Sequence, residues 1–304
     1  MRQQTIGGSF TLEGKGLHTG IYLHLSAHPA PVGTGMIIRR TDLEGHPAIA
    51  LLAENVKDTV RGTVLRNEHL QVSTVEHAMA AFYAAGIDNC IFEIDGPEFP
   101  ILDGSAVMYT EALGRVGIVE QDAEKEYLVI DQEHEYSSGS GSVIKAFPCD
   151  RFEVEVEIGF NSPVLPAQTA QLRRMSDFPH EIAMARTFVF VREIEPLLDM
   201  NLIRGGDLKN AIVIYDRIMA QDKMDELTHK LQQPSIDAAQ LGYLSGPLHF
   251  DNEPARHKLL DVIGDLALTG RPIKGRIVAR YPGHKVNTEF ANYLRTTYIL
   301  SEQE

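Results

Sequence analysis

The amino-acid sequence predicts an α+β protein whose two halves share one plan and face each other. Its 304 residues, 43% of them hydrophobic, suit two domains with cores of their own. In each half, segments with the period of a strand are followed by segments with the period of a helix. The predicted main helices fall two in each half, beginning near Ser73, Asp103, Pro179 and Pro254. We detect no sequence repeat between the halves.

The charge balance and the cysteine content limit the function classes. With 28 Lys+Arg against 42 Asp+Glu, the formal net charge is −14, which argues against nucleic acid or an anionic membrane as the main partner. Cys90 and Cys149 lie far apart, so neither a disulfide framework nor a cysteine-rich zinc site is predicted. The sequence shows neither an apolar signal core nor a run near the ~18 apolar residues of a membrane span. We therefore expect a cytoplasmic protein without stable membrane insertion.

The first 40 residues alternate with the period of a strand and predict an antiparallel meander, in runs at 8–13, 21–26 and 36–40. Between the first two runs, His18 lies on the glycine-flanked loop Gly16–Gly20. Taken alone, a histidine in a turn is the simplest interpretation of this residue. More short strands are expected between residues 55 and 72, at 63–66 and 70–72.

A helix is predicted from Ser73 to Gly86, with Ser73 as its N-cap and Gly86 beyond its C-terminus. Glu76 follows Ser73 by three residues, so a capping box is one explanation for this glutamate. His77 is equally compatible with a core histidine among alanines. The functional alternative is that adjacent Glu and His side chains at a helix start face a metal ion and a water molecule beside it.

The first half continues with a strand at 90–95, a Pro/Gly-rich loop at 96–105 and a helix that ends near Arg115. The acidic stretch 118–126 has no periodic apolar pattern and is the best candidate for a linker. The resulting division is a first domain at 1–120, a linker at 121–127 and a second domain at 128–304.

The second half repeats the strand pattern and then adds an insert. Its first strands are predicted at 127–130, 142–147 and 152–160. A small βαβ insert is predicted at about 186–215. A helix is expected to pass into a strand at 181–191. A short helix at 193–200, a turn at 205–206 and a parallel return strand at 210–215 are expected to follow. An extended polar segment follows at about 216–252, with a helical patch near 220–231.

The stretch from Glu253 to Gly270 predicts the helix around which the chain is organised. At about 100° per residue, His257, Asp261 and Asp265 spread over roughly 80° of one face, while apolar residues fill the opposite face. An imidazole and a carboxylate one turn apart can bind one metal ion, and the second carboxylate can hold a neighbouring group. A solvated helix face is the simpler interpretation of these three residues alone.

Six motifs occur in one order along the chain: STVEH at 73–77, GIDN at 86–89, GPEFPILDGS at 96–105, ARTF at 185–188, RHKxxDxxxD at 256–265 and GHxxN at 283–287. Together they resemble the UDP-3-O-acyl-N-acetylglucosamine deacetylase family, zinc hydrolases of lipid A biosynthesis in Gram-negative bacteria. The match covers nearly the whole chain. The resemblance implies two similar two-layer sandwiches of sheet and helices, with the active site between them. It also implies removal of the N-acetyl group from UDP-3-O-(3-hydroxyacyl)-N-acetylglucosamine, with release of acetate.

The resemblance further implies one Zn²⁺ per chain, with Fe²⁺ as an alternative, bound by His77, His257 and Asp261. Chemistry agrees, because two imidazoles and one carboxylate leave one coordination position open, as a hydrolytic zinc site requires.

The same resemblance assigns the catalytic roles. Glu76 is expected to act as general base on the attacking water. His284 is expected to stay cationic, to stabilise the tetrahedral intermediate and to protonate the leaving amine, with Asp265 holding its charge and orientation. Thr187 is expected to donate a hydrogen bond to the oxyanion.

Substrate contacts are expected from four further side chains. Lys258 is assigned to polar oxygens of the substrate, and Phe188 to the sugar face. Phe190 and the βαβ insert are expected to line a passage for the fatty acyl chain. His18 is expected near the substrate without a catalytic role.

Two features depart from the common form of the family. The segment 216–252 is longer, as in Bacteroidetes-type members that continue into a fused 3-hydroxyacyl-carrier-protein dehydratase, a domain not present in this sequence. Phe147 stands before Pro148 where many relatives have a basic residue, and Lys145 lies two residues earlier. The expected diphosphate contact on this side is therefore altered.

Two other function classes compete with this interpretation. A zincin metallopeptidase needs HExxH on one helix, and neither His134-Glu135 nor His180-Glu181 is followed by the second histidine. A non-enzymatic binding module on a duplicated α+β fold predicts no tightly bound metal. Metal analysis of the purified protein separates the binding module from the enzyme.

Overall fold

The computed structural model describes residues 1–60, 62–138, 141–194, 205–231 and 234–301. Two mixed sheets, one from each half of the chain, enclose the main helices, and one continuous hydrophobic core joins the halves. The predicted α+β class is therefore confirmed.

The strands of the first half are β1 (Arg2–Ile6), β2 (Phe10–Lys15), β3 (Tyr22–Pro29), β4 (Met36–Arg40), β5 (Ala48–Ala50), β6 (Val56–Asp58), β7 (Val64–Arg66), β8 (Gln71–Ser73), β9 (Cys90–Ile94) and β10 (Ile118–Glu124). Five of them form one sheet in the order β2-β3-β9-β4-β5, and β6 to β8 form a small separate sheet. The predicted meander is wrong beyond the β2–β3 hairpin, because β9 lies between β3 and β4. β9 takes the centre because Cys90, Phe92 and Ile94 are fully buried.

The predicted linker is largely a strand. Residues 118–124 pair antiparallel with residues 2–6, so 121–124 belong to a two-stranded ribbon. Alternation did not reveal this strand because the ribbon has little buried face: Ile118 and Val119 are 43% and 49% exposed. The division into domains at 1–120 and 128–304 stays a prediction.

The strands of the second half are β11 (Leu128–Val129), β12 (His134–Ser137), β13 (Val143–Phe147), β14 (Phe152–Ile158), β15 (Gln168–Leu172), β16 (Phe188–Phe190), β17 (Ile212–Tyr215), β18 (Gly242–Tyr243) and β19 (Ile273–Arg280). The main sheet has the order β12-β13-β19-β14-β15, and β11 also pairs with β19. The predicted alternation of β14 is confirmed, since every second residue of it is buried.

The helices are α1 (Glu76–Ala84), α2 (Val107–Val116), α3 (Phe178–Glu181), α4 (Gln221–Lys230), α5 (Glu253–Leu266) and α6 (His284–Arg295). The helix expected at Pro179 is only one turn, and the second long helix of this half is α6, which the sequence analysis missed. Its buried Val286, Phe290 and Leu294 recur every four residues, as a helix requires. Among the described residues, no helix is both long enough and apolar enough to cross a bilayer.

The insert has the predicted parallel pair of strands, β16 and β17, and β18 adds an antiparallel third strand. Residues 195–200 of the predicted short helix lie outside the described residues. The polar segment 216–252 contributes to the insert, because Met224 and Leu227 of α4 are buried against Val213 and Tyr215 of β17.

Helices α1 and α5 cross in close contact at the centre of the molecule. An ideal Cβ on Gly264 would lie 2.1 Å from the carbonyl oxygen of Glu76, so only glycine permits this approach. The simpler interpretation of α5, a solvated face, is wrong, because His257, Asp261 and Asp265 are each at most 1% exposed. These polar groups lie inside the core between the two halves.

Candidate metal centre and active site

Three metal-binding side chains meet where α1 crosses α5. His257 and Asp261 are one turn apart on α5, and the Nε2 atom of His257 lies 3.4 Å from Oδ1 of Asp261. His77, the second residue of α1, places its Nε2 atom 3.9 Å from the same oxygen. One donor atom from each residue lies within 4.8 Å of the other two. The helix crossing therefore adds His77 of α1 as the third candidate ligand, which α5 alone lacks.

The donor atoms of this triad fit a metal ion. Oδ1 of Asp261 is buried and has no hydrogen-bond partner within the described ranges, although buried carboxylate oxygens normally have one. Nδ1 of His257 lies 3.0 Å from the carbonyl oxygen of Ala185, so Nδ1–H donates and the lone pair is on Nε2, which faces the triad. Two imidazoles and a carboxylate form a donor set that suits Zn²⁺ or Fe²⁺.

The pKa shifts favour the protonation states in which these side chains bind a metal, neutral imidazoles and an ionised carboxylate. Burial lowers the pKa of His77 to about 3 and also lowers the pKa of His257, so both imidazoles are neutral at pH 7. Burial alone would raise the pKa of Asp261, but the Lys258 ammonium and the nearby histidines hold it well below its usual range. Nζ of Lys258 donates to Oδ2 of Asp261 at 2.8 Å, which leaves Oδ1 for the metal.

Glu76 lies beside the triad and does not cap α1. It is the first helical residue, no side chain caps the helix, and Ser73 donates to the carbonyl oxygen of Pro97 instead. The capping-box explanation is therefore wrong. Burial raises the pKa of Glu76 to about 7. The imidazolium of His284 opposes this shift, and the carboxylates of Asp265 and Asp261 add to it. A buried carboxyl with this pKa can exchange a proton near neutral pH.

His284 faces Glu76 across the site. Its Nε2 atom lies 3.7 Å from Oε1 of Glu76, and Nδ1–H donates to Oδ2 of Asp265 at 2.9 Å. Burial disfavours the imidazolium, but the carboxylates of Asp265, Asp261 and Glu76 outweigh burial and raise the pKa of His284 to about 10. His284 is therefore cationic at neutral pH. It is the first residue of α6.

A cavity of about 510 Å³ opens from this polar centre toward the insert. His284 and Lys258 stand at its polar end. Most of the side chains that line the rest are apolar, and they include Leu17, Phe188, Val189, Ile194, Ala211 and Val213. Glu193 and Asp207 also line the cavity. The lining therefore combines charged groups with a larger apolar surface, here called the apolar recess, as a ligand with a polar head and a fatty chain requires.

Two loops hold the walls of this cavity in place. The backbone N–H groups of His18 and Thr19 donate to the buried carboxylate of Glu98 at 2.9 and 3.1 Å. Thr187 is fixed at both backbone groups, because its N–H donates to Gly104 and its carbonyl oxygen accepts from Ile212, both at 2.7 Å. His18 and Thr187 both line the cavity.

The structure places the sequence-predicted residues in one site, with one exception. Glu76, His284 and Asp265 stand beside the triad, and the cavity is lined by Thr187, Phe188, Lys258 and His18. Phe190 requires a correction, because it is 1% exposed and packs with Leu165, Ile212 and Ile214 away from the cavity. Lys145, which the sequence analysis considered for a diphosphate contact, pairs with Glu135 at 2.6 Å on the second sheet.

Three residues of the site were missed. Thr63 and Asn287 both donate to Asp265, and Glu98 holds the His18 loop. Asn287 and Glu98 belong to two of the six motifs, which could have indicated them, whereas no local signal marks Thr63.

An α+β fold that buries two histidines and a carboxylate beside a glutamate and a histidine–aspartate pair is typical of a metal-dependent hydrolase. Residues 3–231 and 235–296 match the model of the UDP-3-O-acyl N-acetylglycosamine deacetylase family. The chain belongs to this family, and the resemblance found in its motifs is confirmed.

Known relatives agree with this assignment. The "Bifunctional enzyme LpxC/FabZ" of Bacteroides thetaiotaomicron is 52% identical over 304 residues, covering 99% of this chain and 66% of that protein. The protein of the same name from Porphyromonas gingivalis is 52% identical over 296 residues, covering 97% of this chain and 64% of its own length. The chain thus spans slightly less than two thirds of the length of these two relatives. The "UDP-3-O-acyl-N-acetylglucosamine deacetylase" of Myxococcus xanthus is 40% identical over 286 residues, covering 94% of this chain and 83% of that protein.

Proposed function

We propose that this chain is a zinc-dependent deacetylase that hydrolyses the N-acetyl group of UDP-3-O-(3-hydroxyacyl)-N-acetylglucosamine and releases acetate, in the biosynthesis of lipid A. One observation carries the proposal: the ligand atoms of His77, His257 and Asp261 lie within 4.8 Å of one another in the core. The family membership and the printed name of the Myxococcus xanthus relative support the substrate.

The proposed metal ligands are His77, His257 and Asp261, and the proposed metal is Zn²⁺, which Fe²⁺ can replace. The unpartnered Oδ1 atom of Asp261 and the inward Nε2 atom of His257 support this assignment. Bound by this triad, Zn²⁺ would supply Lewis acidity toward the carbonyl group of the acetamide.

The proposed chemistry of the protein groups is general acid–base catalysis. Glu76 accepts the proton of the attacking water, and its pKa of about 7 suits this role. His284 carries its proton at Nε2, toward Glu76 and Asp261, and delivers it to the leaving amine nitrogen. Asp265 accepts the hydrogen bond from Nδ1–H and stabilises the imidazolium.

Substrate binding is proposed along the cavity. Lys258 meets polar oxygens of the substrate, and Phe188, whose ring centroid lies 5.4 Å from Nζ of Lys258, contacts the sugar face. The hydroxyl of Thr187 donates to the oxyanion. His18 also lines the cavity. The apolar recess holds the 3-O-acyl chain, where each buried CH₂ contributes about 0.8 kcal/mol.

The test is acetate release from the UDP-linked substrate, measured together with metal content. We expect about one tightly bound divalent metal per chain. His77→Ala, His257→Ala and Asp261→Ala each leave two ligands, so each should lose metal and activity together. His134→Ala, which changes a buried histidine outside the triad, is the control that should keep the metal. Full metal occupancy in all three ligand variants would contradict the assignment.

A further inference from the structure

Thr63 connects the two proposed proton-transfer groups. It is fully buried between β6 and β7, in the first half of the chain. Its hydroxyl donates to Oδ1 of Asp265 at 2.6 Å, and its backbone N–H donates to Oε2 of Glu76 at 3.3 Å. An ionised carboxylate only accepts hydrogen bonds, so the single hydroxyl proton points to Asp265. One residue therefore contacts the carboxylate beside His284 and the proposed base.

Both oxygens of the Asp265 carboxylate accept hydrogen bonds. Oδ2 accepts from Nδ1 of His284 and from Nδ2 of Asn287, both at 2.9 Å. Oδ1 accepts from Thr63, which is the hydrogen bond between Asp265 and the first half of the chain. A hydroxyl bonded to a carboxylate at this distance is a charge-assisted hydrogen bond, stronger than a neutral one.

The backbone on either side of Thr63 also contacts the segment that carries Glu76. Gly62 has φ +140°, and an ideal Cβ there would lie 2.9 Å from Oε1 of Glu76, so a side chain at this position would strain the backbone and displace the Glu76 carboxylate. The carbonyl oxygen of Thr63 accepts from the N–H of Thr74, a non-glycine residue with φ +61° just before α1. Strained backbone of this kind persists where the surrounding contacts determine it. The Thr63 segment thus fixes the start of α1, where Glu76 lies.

We propose that Thr63 is a positioning residue that fixes the Asp265 carboxylate, and through it the His284 imidazole, relative to Glu76. The inference rests on the proposed function. Because Thr63 and Asp265 are 202 residues apart, the hydrogen bond also sets the register of the two halves at the site. The hydroxyl of Thr63 acts through Asp265 and not on the substrate, so its effect is expected on the turnover step and not on substrate binding.

The alternative is that Thr63 stabilises the fold as any buried threonine does. Thr5 is the matched example, since it is buried and its hydroxyl donates to the carbonyl oxygen of Asn89 at 2.7 Å, away from the site. Thr5→Val should destabilise the protein and leave kcat unchanged. Thr63→Val makes the same change in side-chain shape as Thr5→Val, but it also leaves Oδ1 of Asp265 buried without a hydrogen-bond donor.

The experiment measures kcat, KM, metal content and thermal stability for wild type, Thr63→Val, Thr63→Ser and Thr5→Val. Thr63→Val should lower kcat about 10- to 100-fold, the worth of one hydrogen bond to a charged group, with KM and metal content little changed. Thr63→Ser keeps the hydroxyl and should stay within about threefold of wild type. Wild-type kcat in a folded Thr63→Val variant would overturn the inference. If Thr63→Val does not fold, equal kcat of Thr63→Ala and Thr63→Ser overturns it instead.

A double-mutant cycle with Asp265→Asn separates positioning from general destabilisation. If Thr63 acts through Asp265, adding Thr63→Val to Asp265→Asn should cost less than about threefold in kcat. Fully multiplicative effects would contradict the proposal. Absence of acetate release by the metal-loaded wild type would overturn the proposed function and this inference together, whereas an active wild type with an equally active Thr63→Val variant overturns the role of Thr63 alone.

Discussion

Two aspartates one turn apart on α5 differ in the neighbours that surround them. Asp261 has one oxygen bonded to Lys258 and one oxygen without a partner that faces two imidazole nitrogens. Asp265 has both oxygens occupied by donors, from Thr63, His284 and Asn287. A metal ion binds most easily to an oxygen that accepts no hydrogen bond, and Asp261 has such an oxygen whereas both oxygens of Asp265 have donors. The same residue type thus takes two roles according to its hydrogen bonds.

This distinction predicts the outcome of substitutions at the histidine–aspartate pair. His284→Ala should lower kcat by roughly 10²- to 10⁴-fold, the usual contribution of one acid–base group, with metal content unchanged. Asp265→Asn should cost less, because the imidazole remains. The measurements are steady-state kinetics and metal analysis of each variant. Loss of metal in Asp265→Asn would show instead that Asp265 is a ligand, and the roles of Asp261 and Asp265 would be exchanged.

At the scale of elements, the site depends on how closely α1 approaches α5. Gly264→Ala should disturb the site although it changes no functional side chain, because the new Cβ would lie 2.1 Å from the carbonyl oxygen of Glu76. Overpacking of this kind costs about 1–3 kcal/mol. Displacement of α1 should also lower kcat, since Glu76 and His77 both move. Urea unfolding and acetate release measure the two effects.

The control for this change is Gly114→Ala in α2, where an added Cβ meets no atom within 4 Å. Alanine is the better helix former by up to about 1 kcal/mol, so this variant should be slightly stabilised and fully active. Equal behaviour of the two variants would mean that the helix crossing tolerates a methyl group and that the close approach is unimportant.

The N-terminus of α5 makes stability depend on pH. Glu253 is fully buried, and its carboxylate accepts from Nε of Arg186 at 2.9 Å and from the N–H of His249 at 2.6 Å. Burial raises the pKa of this carboxyl, but Arg186 and the N–H donors outweigh burial and lower it below its ordinary value. A lowered folded-state pKa stabilises the protein above the unfolded pKa of about 4.3, and this stabilisation is lost as the pH falls through the folded value.

Glu253→Gln should therefore lower the free energy of unfolding at pH 7 by about 3 kcal/mol, the cost of breaking a buried ion pair. The difference between variant and wild type should shrink as the pH falls below about 4, where the unfolded chain is protonated. Denaturant unfolding across this range is the measurement. Glu157→Gln, which breaks an exposed pair with Arg280, should change stability by less than about 1 kcal/mol. A pH-independent difference for Glu253→Gln would exclude the ionised pair as its cause.

Elements that bury one face or stripe were predictable from the sequence, and elements without one were not. Alternation located β14, and the helical period of a polar and an apolar face located α5. The exposed strand β10 lacks alternation, and α6 was missed because its Gly283-His284 start resembles a loop. The site divides in the same way. Residues within motifs were found, whereas Thr63 became evident only when the fold brought it to Asp265, 202 residues away.

For the whole molecule, the proposed metal triad lies at the junction of the two halves. His77 comes from α1 in the first half, and His257 and Asp261 come from α5 in the second. The core is continuous across this junction, so the halves are already in contact without the metal. A metal that binds only the folded arrangement adds stability by mass action, about 2.7 kcal/mol at a free concentration one hundred times its Kd.

Removal of the metal should therefore lower the melting temperature of the whole protein in a single transition. For a chain of this size, about 2.7 kcal/mol corresponds to a shift on the order of 4 °C. The measurement is thermal unfolding with added Zn²⁺ and with a chelator. His77→Ala should lose most of this shift, because two ligands remain, both from the second half. His24→Ala, which removes an exposed histidine of the first sheet, should keep it. A full shift in His77→Ala would place the stabilising metal elsewhere, and the junction of the two halves would then depend on the hydrophobic core alone.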